Sequence, residues 1–472
     1  RSIPMSLGRR KSQRQQELFV PTQELPKTPR HVFYERLNRL LAEHNFDTFL
    51  EELCTPYYTA VSGRPGVPPG VYFRMLLIGY FEGLDSQRGI AWRCADSFSL
   101  REFLGFKITE ATPDHSSLTR IRQRLPLSVH NQVFTFVLKI ASEELSLIGL
   151  DIGVDSTMIE ANAAMKSIVR KETGEDWKEY LKRLMIEAGE IEEDDEPNDE
   201  DLRRFDRKRS KKGEKNVSNT DWESPTDPDS RIVKMKDGRT HLGYKLEHVI
   251  DLETELILHA GVHHGTDHDT QTVVGNVVSA QVHLDEAETD AEIMNVVADK
   301  GYYKAEVLSQ LQWMDLSAHI PEKSNATKLS QSDPHYWSRL MNRLETRSRR
   351  GRKKQRLRSE RVERSFAHSC ETGGARRSHL RGLAEIRKRY SIHAAAQNLG
   401  IVLRKLLGAG TPRGFMGLWR RFASIFPLEM LQKRISVCRE TFDRLQTNLK
   451  TNFRTQFGIH KNEILYQVKT TC

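Results

Sequence analysis

The chain has 472 residues, 38% of them apolar, which is enough for about two to four domains with substantial cores. Its 73 lysines and arginines exceed its 64 aspartates and glutamates and give a net charge of +9 at pH 7. This excess favours a polyanion as a partner. The longest apolar run, 71–81, contains Arg74 and is shorter than the roughly 18 residues that a membrane helix needs. We therefore expect no membrane as a partner.

The five cysteines are widely scattered and never form a Cys-x-x-Cys pair. This spacing argues against a disulfide framework or a zinc knuckle and favours the reducing cytoplasm. No apolar segment follows the basic residues 1–16, so we expect no secretory signal.

Residues 1–30 are polar and basic with repeated prolines, and we expect a flexible arm there. From 31 to 130, apolar residues recur at helical spacing, which predicts an all-α domain. Helices are predicted over 32–53, 71–81, 86–95, after a capping box at Ser99–Glu102, and over 117–125. Arg120, Arg122 and Arg124 on the last helix are expected to contact DNA. The alternative is a helical domain whose arginines are only solvated.

An α/β pattern begins near residue 149, because short apolar strands then alternate with helical segments. The predicted elements are strands at 149–155 and 293–299, a hairpin of 242–250 with 255–263, a helix over 304–312 and a strand at 317–321. Residues 171–230 form an insertion with an acidic run followed by a basic run. Such a block predicts disorder or a solvated helical excursion.

The most basic part of the chain is 339–364, with 12 lysines and arginines against 3 glutamates. This sign bias is too strong for ordinary helix pairing and predicts contact with nucleic acid. Residues 376–407 then show a long helical period that ends at Gly408 and Pro412. The remaining segment, 411–472, is basic with a mostly helical pattern.

Two predicted strands end in aspartates, Asp155 and Asp299, and the basic helical segment contains Glu363. Strand ends of one sheet lie close together, and a helix packed across that edge can add a third carboxylate. Three such ligands suit Mg²⁺ or Mn²⁺, and a pair of these ions catalyses in-line phosphoryl transfer. The plain alternative is that an aspartate after a strand caps a helix.

Four blocks, in this order along the chain, carry a family resemblance: Gly-Val-Asp-Ser-Thr at 153–157, Leu-Gly-Tyr-Lys at 242–245, Ala-Asp-Lys-Gly-Tyr-Tyr at 298–303 and Arg-Val-Glu-Arg-Ser-Phe at 361–366. Together with the helical region before them, they resemble bacterial insertion-sequence transposases of the DDE type over about 30–410. The resemblance implies an α/β, RNase H-like core at 148–410, a mixed five-stranded sheet flanked by helices. An all-α N-terminal domain and a helical C-terminal region complete the implied architecture.

By this resemblance, Asp155, Asp299 and Glu363 are the catalytic residues and bind two Mg²⁺ or Mn²⁺ ions. Many relatives have a lysine seven residues after the glutamate, where this chain has Cys370. If that spacing decides, Glu360, which follows Arg356 by four residues, is the rival third ligand. The lost lysine's phosphate contacts are then expected from Arg361, Arg364, Arg376 and Arg377.

Other side chains near these acids are expected to contact DNA. Lys245 and Lys300 are predicted to reach the phosphate backbone, and Tyr302 to stack on a base at the DNA end. In each case the alternative is a solvated or structural side chain. The sequence 263–269, rich in histidine and aspartate, indicates either a metal site or a polar loop.

The expected function is DNA transposition in the bacterial cytoplasm, at the nucleoid. The protein would bind double-stranded DNA at the terminal inverted repeats, cleave there and join the 3′ ends to target DNA. We expect a homodimer or larger assembly, because two transposon ends must be held together. The alternatives are a domesticated or decayed transposase that only binds DNA, and a metal-dependent nuclease that cuts without joining.

Overall fold

The computed structural model describes residues 29–58, 66–212, 218–235, 238–323 and 329–417. The chain divides into two compact units, Arg1–Pro412 and Arg413–Cys472. Residues 1–28 of the predicted arm and residues 418–472 of the predicted C-terminal segment lie outside the described residues. The domain boundaries drawn above stay predictions.

Within the described residues, seven helices precede the main sheet. They are α1 (Pro29–Glu43), α2 (Phe46–Cys54), α3 (Pro69–Glu82), α4 (Gln87–Asp96), α5 (Phe98–Phe103), α6 (His115–Arg124) and α7 (Leu127–Leu145). The apolar α3 is buried along almost its whole length and forms the centre of this helical region. The helices predicted from apolar spacing are therefore confirmed.

Two details of this region differ from the prediction. The capping box at Ser99 is wrong, because α5 already begins at Phe98 and the buried Ser99 hydroxyl lies 3.0 Å from the Ser97 hydroxyl. Helix α7 was not predicted. It starts directly after Pro126, which also follows the end of the preceding helix.

Eight strands follow: β1 (Asp151–Glu160), β2 (Val169–Arg170), β3 (Trp222–Glu223), β4 (Arg231–Lys234), β5 (Thr240–Asp251), β6 (Ile257–His264), β7 (Asn295–Val297) and β8 (Ser317–His319). The central strand β1 pairs antiparallel with β5 and parallel with β7. Strand β5 pairs antiparallel with β6, and β7 pairs parallel with β8. This is the predicted mixed, RNase H-like sheet, to which β4 adds a short sixth strand beside β5.

The remaining helices are α8 (Trp177–Glu187), α9 (Asp199–Lys212), α10 (Asp269–Glu286), α11 (Ala305–Trp313), α12 (Tyr336–Arg347), α13 (Arg349–Ala367) and α14 (Leu383–Leu407). Side chains alternate between the two faces of a strand, and β5 shows what covers each face. His248 contacts Phe366 of α13 and Tyr390 of α14, whereas Lys245 bonds Thr272 of α10. Helices α13 and α14 therefore cover one face and α10 covers the other.

The charged insertion is partly helical, because α8 and α9 lie within it. Tyr180 of α8 packs edge-on against Trp222 of β3, with ring centroids 5.5 Å apart. Helix α14 begins later than the predicted 376, since Gly382 precedes it with a φ of 83°. It ends at Gly408 as predicted. No helix of the described residues is long and apolar enough to cross a membrane.

Gly153 lets α13 approach β1 closely. A Cβ at this position would lie 2.7 Å from Leu252 Cδ2 and 2.9 Å from Val362 Cγ2. We therefore expect Gly153→Ala to lower the free energy of unfolding by about 1–3 kcal/mol, since the buried neighbours must move. Urea denaturation of the two proteins measures this.

Gly275→Ala in α10 is the matched control, because a Cβ there meets nothing within 4 Å. It should stabilise the helix by roughly 0.5–1 kcal/mol. Equal urea midpoints for the two variants would contradict the close contact between α13 and β1.

Candidate active site

The structure brings Asp155 and Asp299 together, although β1 continues past Asp155 to Glu160 and does not end there as predicted. Strands β1 and β7 are parallel, with Gly153 opposite Val297, and each aspartate lies two residues further along its chain. Burial raises the pKa of Asp155 above its usual value, and the negative charge of Asp299 raises it further. The two carboxylates are thus close enough to interact electrostatically.

A backbone N–H holds each carboxylate in place. The Ser156 N–H donates to Asp155 Oδ1 over 2.8 Å, and the Gly301 N–H donates to Asp299 Oδ1 over 2.7 Å. Asp299 thereby caps the short 3₁₀ helix Lys300–Tyr302, as its plain interpretation expects. A Cβ at Gly301 would lie 2.8 Å from Asp299 Oδ1 and 3.0 Å from Asp269 Oδ2, so glycine suits this close approach.

Arg358 of α13 is part of the site, and its contact with Asp155 was not predicted from the sequence. Its Nη1 lies 2.8 Å from Asp155 Oδ2, and only 11% of its side chain is exposed. The guanidinium partly offsets the effect of burial on the pKa of Asp155. A signal existed in the sequence, because Arg358 precedes the apolar Val362 by four residues and so shares its helix face.

The structure does not bring the third acid into contact with this pair. Glu363 is exposed, and its Oε1 accepts a bond from the Ser359 hydroxyl at 3.3 Å. Glu360 is also exposed and pairs with Arg364. Across the described part of the chain, no group of three or more His, Cys, Asp or Glu residues is arranged to hold a metal ion.

Two families of known proteins match this chain. Residues 22–124 match the family described as Transposase domain (DUF772), and residues 202–399 match the Transposase DDE domain. The chain belongs to the insertion-sequence DDE transposases. The second range contains Asp299 and Glu363, whereas Asp155 lies between the two ranges. No curated protein and no solved structure matches the chain.

Lys245 of this transposase is buried, so its predicted contact with the DNA backbone is wrong for this structure. Only 1% of its side chain is exposed, and Nζ lies 3.1 Å from Asp269 Oδ1 and 3.3 Å from Glu247 Oε2. Nζ also donates to Thr272 Oγ1 at 3.0 Å. The cause is tertiary, since α10 covers the face of β5 on which Lys245 lies.

We expect Lys245→Met to lower the free energy of unfolding by about 3–5 kcal/mol, because it leaves the buried Glu247 carboxylate without its cationic partner. Chemical denaturation measures the loss. Lys300→Met removes a charge from an exposed side chain and should leave stability within about 0.5 kcal/mol. A Lys245→Met protein that unfolds like the wild type but loses DNA affinity would contradict this assignment.

Tyr302 is fully buried, so it does not present its ring for stacking on DNA, contrary to the prediction. The short 3₁₀ helix turns Tyr302 inward and leaves Lys300 exposed. Burial raises the pKa of Tyr302 well above its usual value, and the nearby Glu247 and Asp269 charges add to this effect. Tyr302 is therefore a buried, neutral side chain near Asp155.

The other predicted DNA contacts fall into two groups: side chains that bind other parts of the protein, and side chains that are exposed. Arg122 has a structural role, because it pairs with Glu385 of α14 and its side chain is only 11% exposed. Arg361 and Arg364 reach the β5–β6 turn, where they bind the Glu253 carbonyl and the Glu255 carboxylate. The remaining predicted residues are exposed: Arg120, Arg124, Lys300, Arg376 and Arg377.

The histidines of 263–269 are engaged within the protein. His263 Nε2 lies 3.1 Å from Asn276 Nδ2, and His264 Nδ1 lies 2.8 Å from the Asp229 carbonyl. Burial lowers the pKa of His263 to about 4, so its ring is neutral near pH 7. These bonds favour the polar-loop interpretation over the metal site.

Proposed function

We propose that this transposase cleaves DNA at the ends of its own element and joins the freed 3′ ends to target DNA. The observation that carries the proposal is the convergence of Asp155, in the middle of β1, with Asp299, just after the end of β7, in a chain that matches the transposase DDE domain. Helix α13 passes over this edge with exposed basic residues, Arg352, Lys353 and Arg356. Acidic ligands beside a basic surface suit the binding and cleavage of DNA.

The donor set fits Mg²⁺ or Mn²⁺, which bind few carboxylates and fill their remaining positions with water and phosphate oxygens. Asp155 and Asp299 would hold the metal, with Glu363 as the third ligand. The negative charge of Asp299, which raises the pKa of Asp155, fits such a site, because a bound cation would offset the repulsion between the two carboxylates. Two bound ions would activate the attacking oxygen and stabilise the leaving oxygen.

Cleavage forms a bond between a water oxygen and phosphorus and breaks the bond from phosphorus to the 3′ oxygen. The freed 3′-hydroxyl then attacks a target phosphate and displaces the target's own 3′ oxygen, while its proton leaves to solvent. No covalent protein–DNA intermediate is needed, so no serine or tyrosine nucleophile is required. The Ser156 and Gly301 N–H groups keep Asp155 and Asp299 oriented throughout.

Arg358 has two roles in this proposal. Without DNA it neutralises Asp155, and its planar guanidinium suits a phosphate once the carboxylate binds metal. The partners are double-stranded DNA at the terminal inverted repeats and at the target, and a homodimer or larger assembly that holds two ends. The proposed location is the bacterial nucleoid.

A transposition assay in cells tests the proposal. A resistance marker is placed between the two ends of the element, and its transfer to a target plasmid is counted with the wild type and with Asp155→Asn. We expect transfer with the wild type and only background with the variant. Cut ends without transfer would indicate a nuclease, and bound but uncut ends would indicate a DNA-binding protein.

A further inference from the structure

An open groove of ≈ 610 Å³ lies beyond the end of β1, on the same strand as Asp155. One wall is the segment 162–167 after β1, and a second is formed by residues 239–242 at the start of β5. Arg377 and Arg381, from the segment that leads into α14, form the third wall. The proposed catalytic pair does not line this groove.

Backbone hydrogen bonds hold the walls together. The Ser378 N–H donates to the Glu160 carbonyl over 2.8 Å, and the Glu160 N–H donates to the Arg376 carbonyl over 3.1 Å. Across the other wall, the Ala161 N–H donates to the Leu242 carbonyl over 2.8 Å. The groove is therefore held in shape by backbone hydrogen bonds at the end of β1.

The lining carries a strong excess of positive charge. Its cationic side chains are all exposed: Lys166, Arg239, Arg377 and Arg381. Among the described residues of the lining, Glu160 is the single carboxylate, and it lies 3.8 Å from both Arg377 Nη1 and His241 Nδ1. One negative charge cannot balance four positive ones, so the groove attracts anions.

The shape of the groove favours a polymer over a small molecule. Small-molecule sites bury most of their ligand among apolar side chains, whereas this lining is open and its exposed charged groups come from three separate segments. Several cations spread along an open groove match the repeated phosphates of nucleic acid.

We propose that this groove binds backbone phosphates of the DNA duplex on one side of the cleavage site. The inference rests on the proposed function, because it takes Asp155 as the position of the bond that is cut. Glu160 follows Asp155 by five residues in the same strand, a distance of about 17 Å. For a duplex that runs along β1, at about 3.4 Å per base-pair step, the contact falls about five steps from the cut.

The salt dependence of DNA binding tests this proposal in the full chain. Each phosphate contact adds about 0.9 to the slope of log affinity against log salt concentration. The probe is a 30-base-pair duplex of random sequence. We expect the magnitude of this slope to be smaller by about 2–3 in the triple variant Arg239→Gln, Arg377→Gln and Arg381→Gln than in the wild type. If that protein does not fold, Arg381→Gln alone should lose about 0.9.

Two controls separate charge in the groove from charge elsewhere. The corresponding triple lysine variant retains the charges and should keep the wild-type slope. Arg204→Gln removes an exposed arginine of the insertion, 73% exposed, and should also leave the slope unchanged. In a duplex that carries an end of the element, neutral methylphosphonate linkages about five steps from the cut should weaken binding of the wild type but not of the triple glutamine variant.

A folded triple glutamine variant with the wild-type slope would overturn the groove assignment and leave the proposed function standing. Loss of inorganic phosphate binding with an unchanged duplex slope would overturn it too, since the groove would then be a small-anion site. A wild-type protein that shows no salt-dependent duplex binding would instead contradict the proposed function.

Discussion

Asp155→Asn and Asp299→Asn are each expected to slow DNA cleavage by at least about 1,000-fold while changing DNA affinity little. Each substitution replaces a carboxylate of the converging pair by a neutral amide of the same shape. The amide oxygen can still accept the bond from the Ser156 or Gly301 N–H, so the local fold should persist. Metal ions in such sites supply several kcal/mol of transition-state stabilisation, and about 1.4 kcal/mol corresponds to a tenfold change in rate.

Single-turnover cleavage at saturating protein measures the rate, and a gel-shift titration measures the affinity. Asp315→Asn is the matched control, because Asp315 is an exposed aspartate in the turn between α11 and β8. It should cleave like the wild type. Wild-type cleavage by either Asp155→Asn or Asp299→Asn would show that the pair is not catalytic.

The second large effect is expected at the third acid, where Glu363→Gln should abolish cleavage and Glu360→Gln should not. The reason is the orientation of α13 on the sheet. Val362 and Arg358 are the side chains of this helix that approach Gly153 of β1. Successive residues turn by about 100° around a helix, so Glu363 lies just beside this contacting face.

The two edges of α13 lie over different ends of β1. Arg361 and Arg364 reach the β5–β6 turn, and that turn adjoins the beginning of β1, where Ile152 pairs with Asp251. Glu360 pairs with Arg364 and so belongs to that edge. Glu363 is on the opposite edge, toward the end of β1 that lies beyond Asp155. A rotation of its side chain toward Asp155 is therefore expected when metal binds.

Cleavage rates of the two glutamine variants, with gel shifts to confirm DNA binding, decide between the glutamates. Both residues are exposed and lie three positions apart on α13, so each variant controls for the other. An inactive Glu360→Gln beside an active Glu363→Gln would reverse the assignment.

The sequence predicts the parts of this structure that depend on local pattern. Apolar spacing predicts α3, and the alternation of short strands and helices predicts the sheet and places Asp155 and Asp299 at its edge. Helix α10 was missed because it follows the polar run that also indicated a metal site. A signal for this helix was present, because Val273, Val277, Ala280 and Leu284 recur at helical spacing and are buried.

Contacts between distant segments account for the remaining errors. The burial of Lys245 depends on Thr272 and Asp269, which lie more than twenty residues away. Arg358 reaches Asp155 across 203 positions of the chain. A lysine in a strand or an arginine in a basic run has the same local pattern whether it meets solvent or a buried carboxylate, so only the tertiary fold distinguishes these cases.

Metal-dependent cleavage and joining are tested together by incubating the purified protein with DNA that carries both ends of its element, with Mg²⁺ or with a chelator. The 3′ ends and joined products are then mapped. We expect cuts that leave 3′-hydroxyls at the element's ends, and joined products with added target DNA, only when Mg²⁺ is present. Ends that are bound but stay intact with Mg²⁺ and with Mn²⁺ would contradict this expectation.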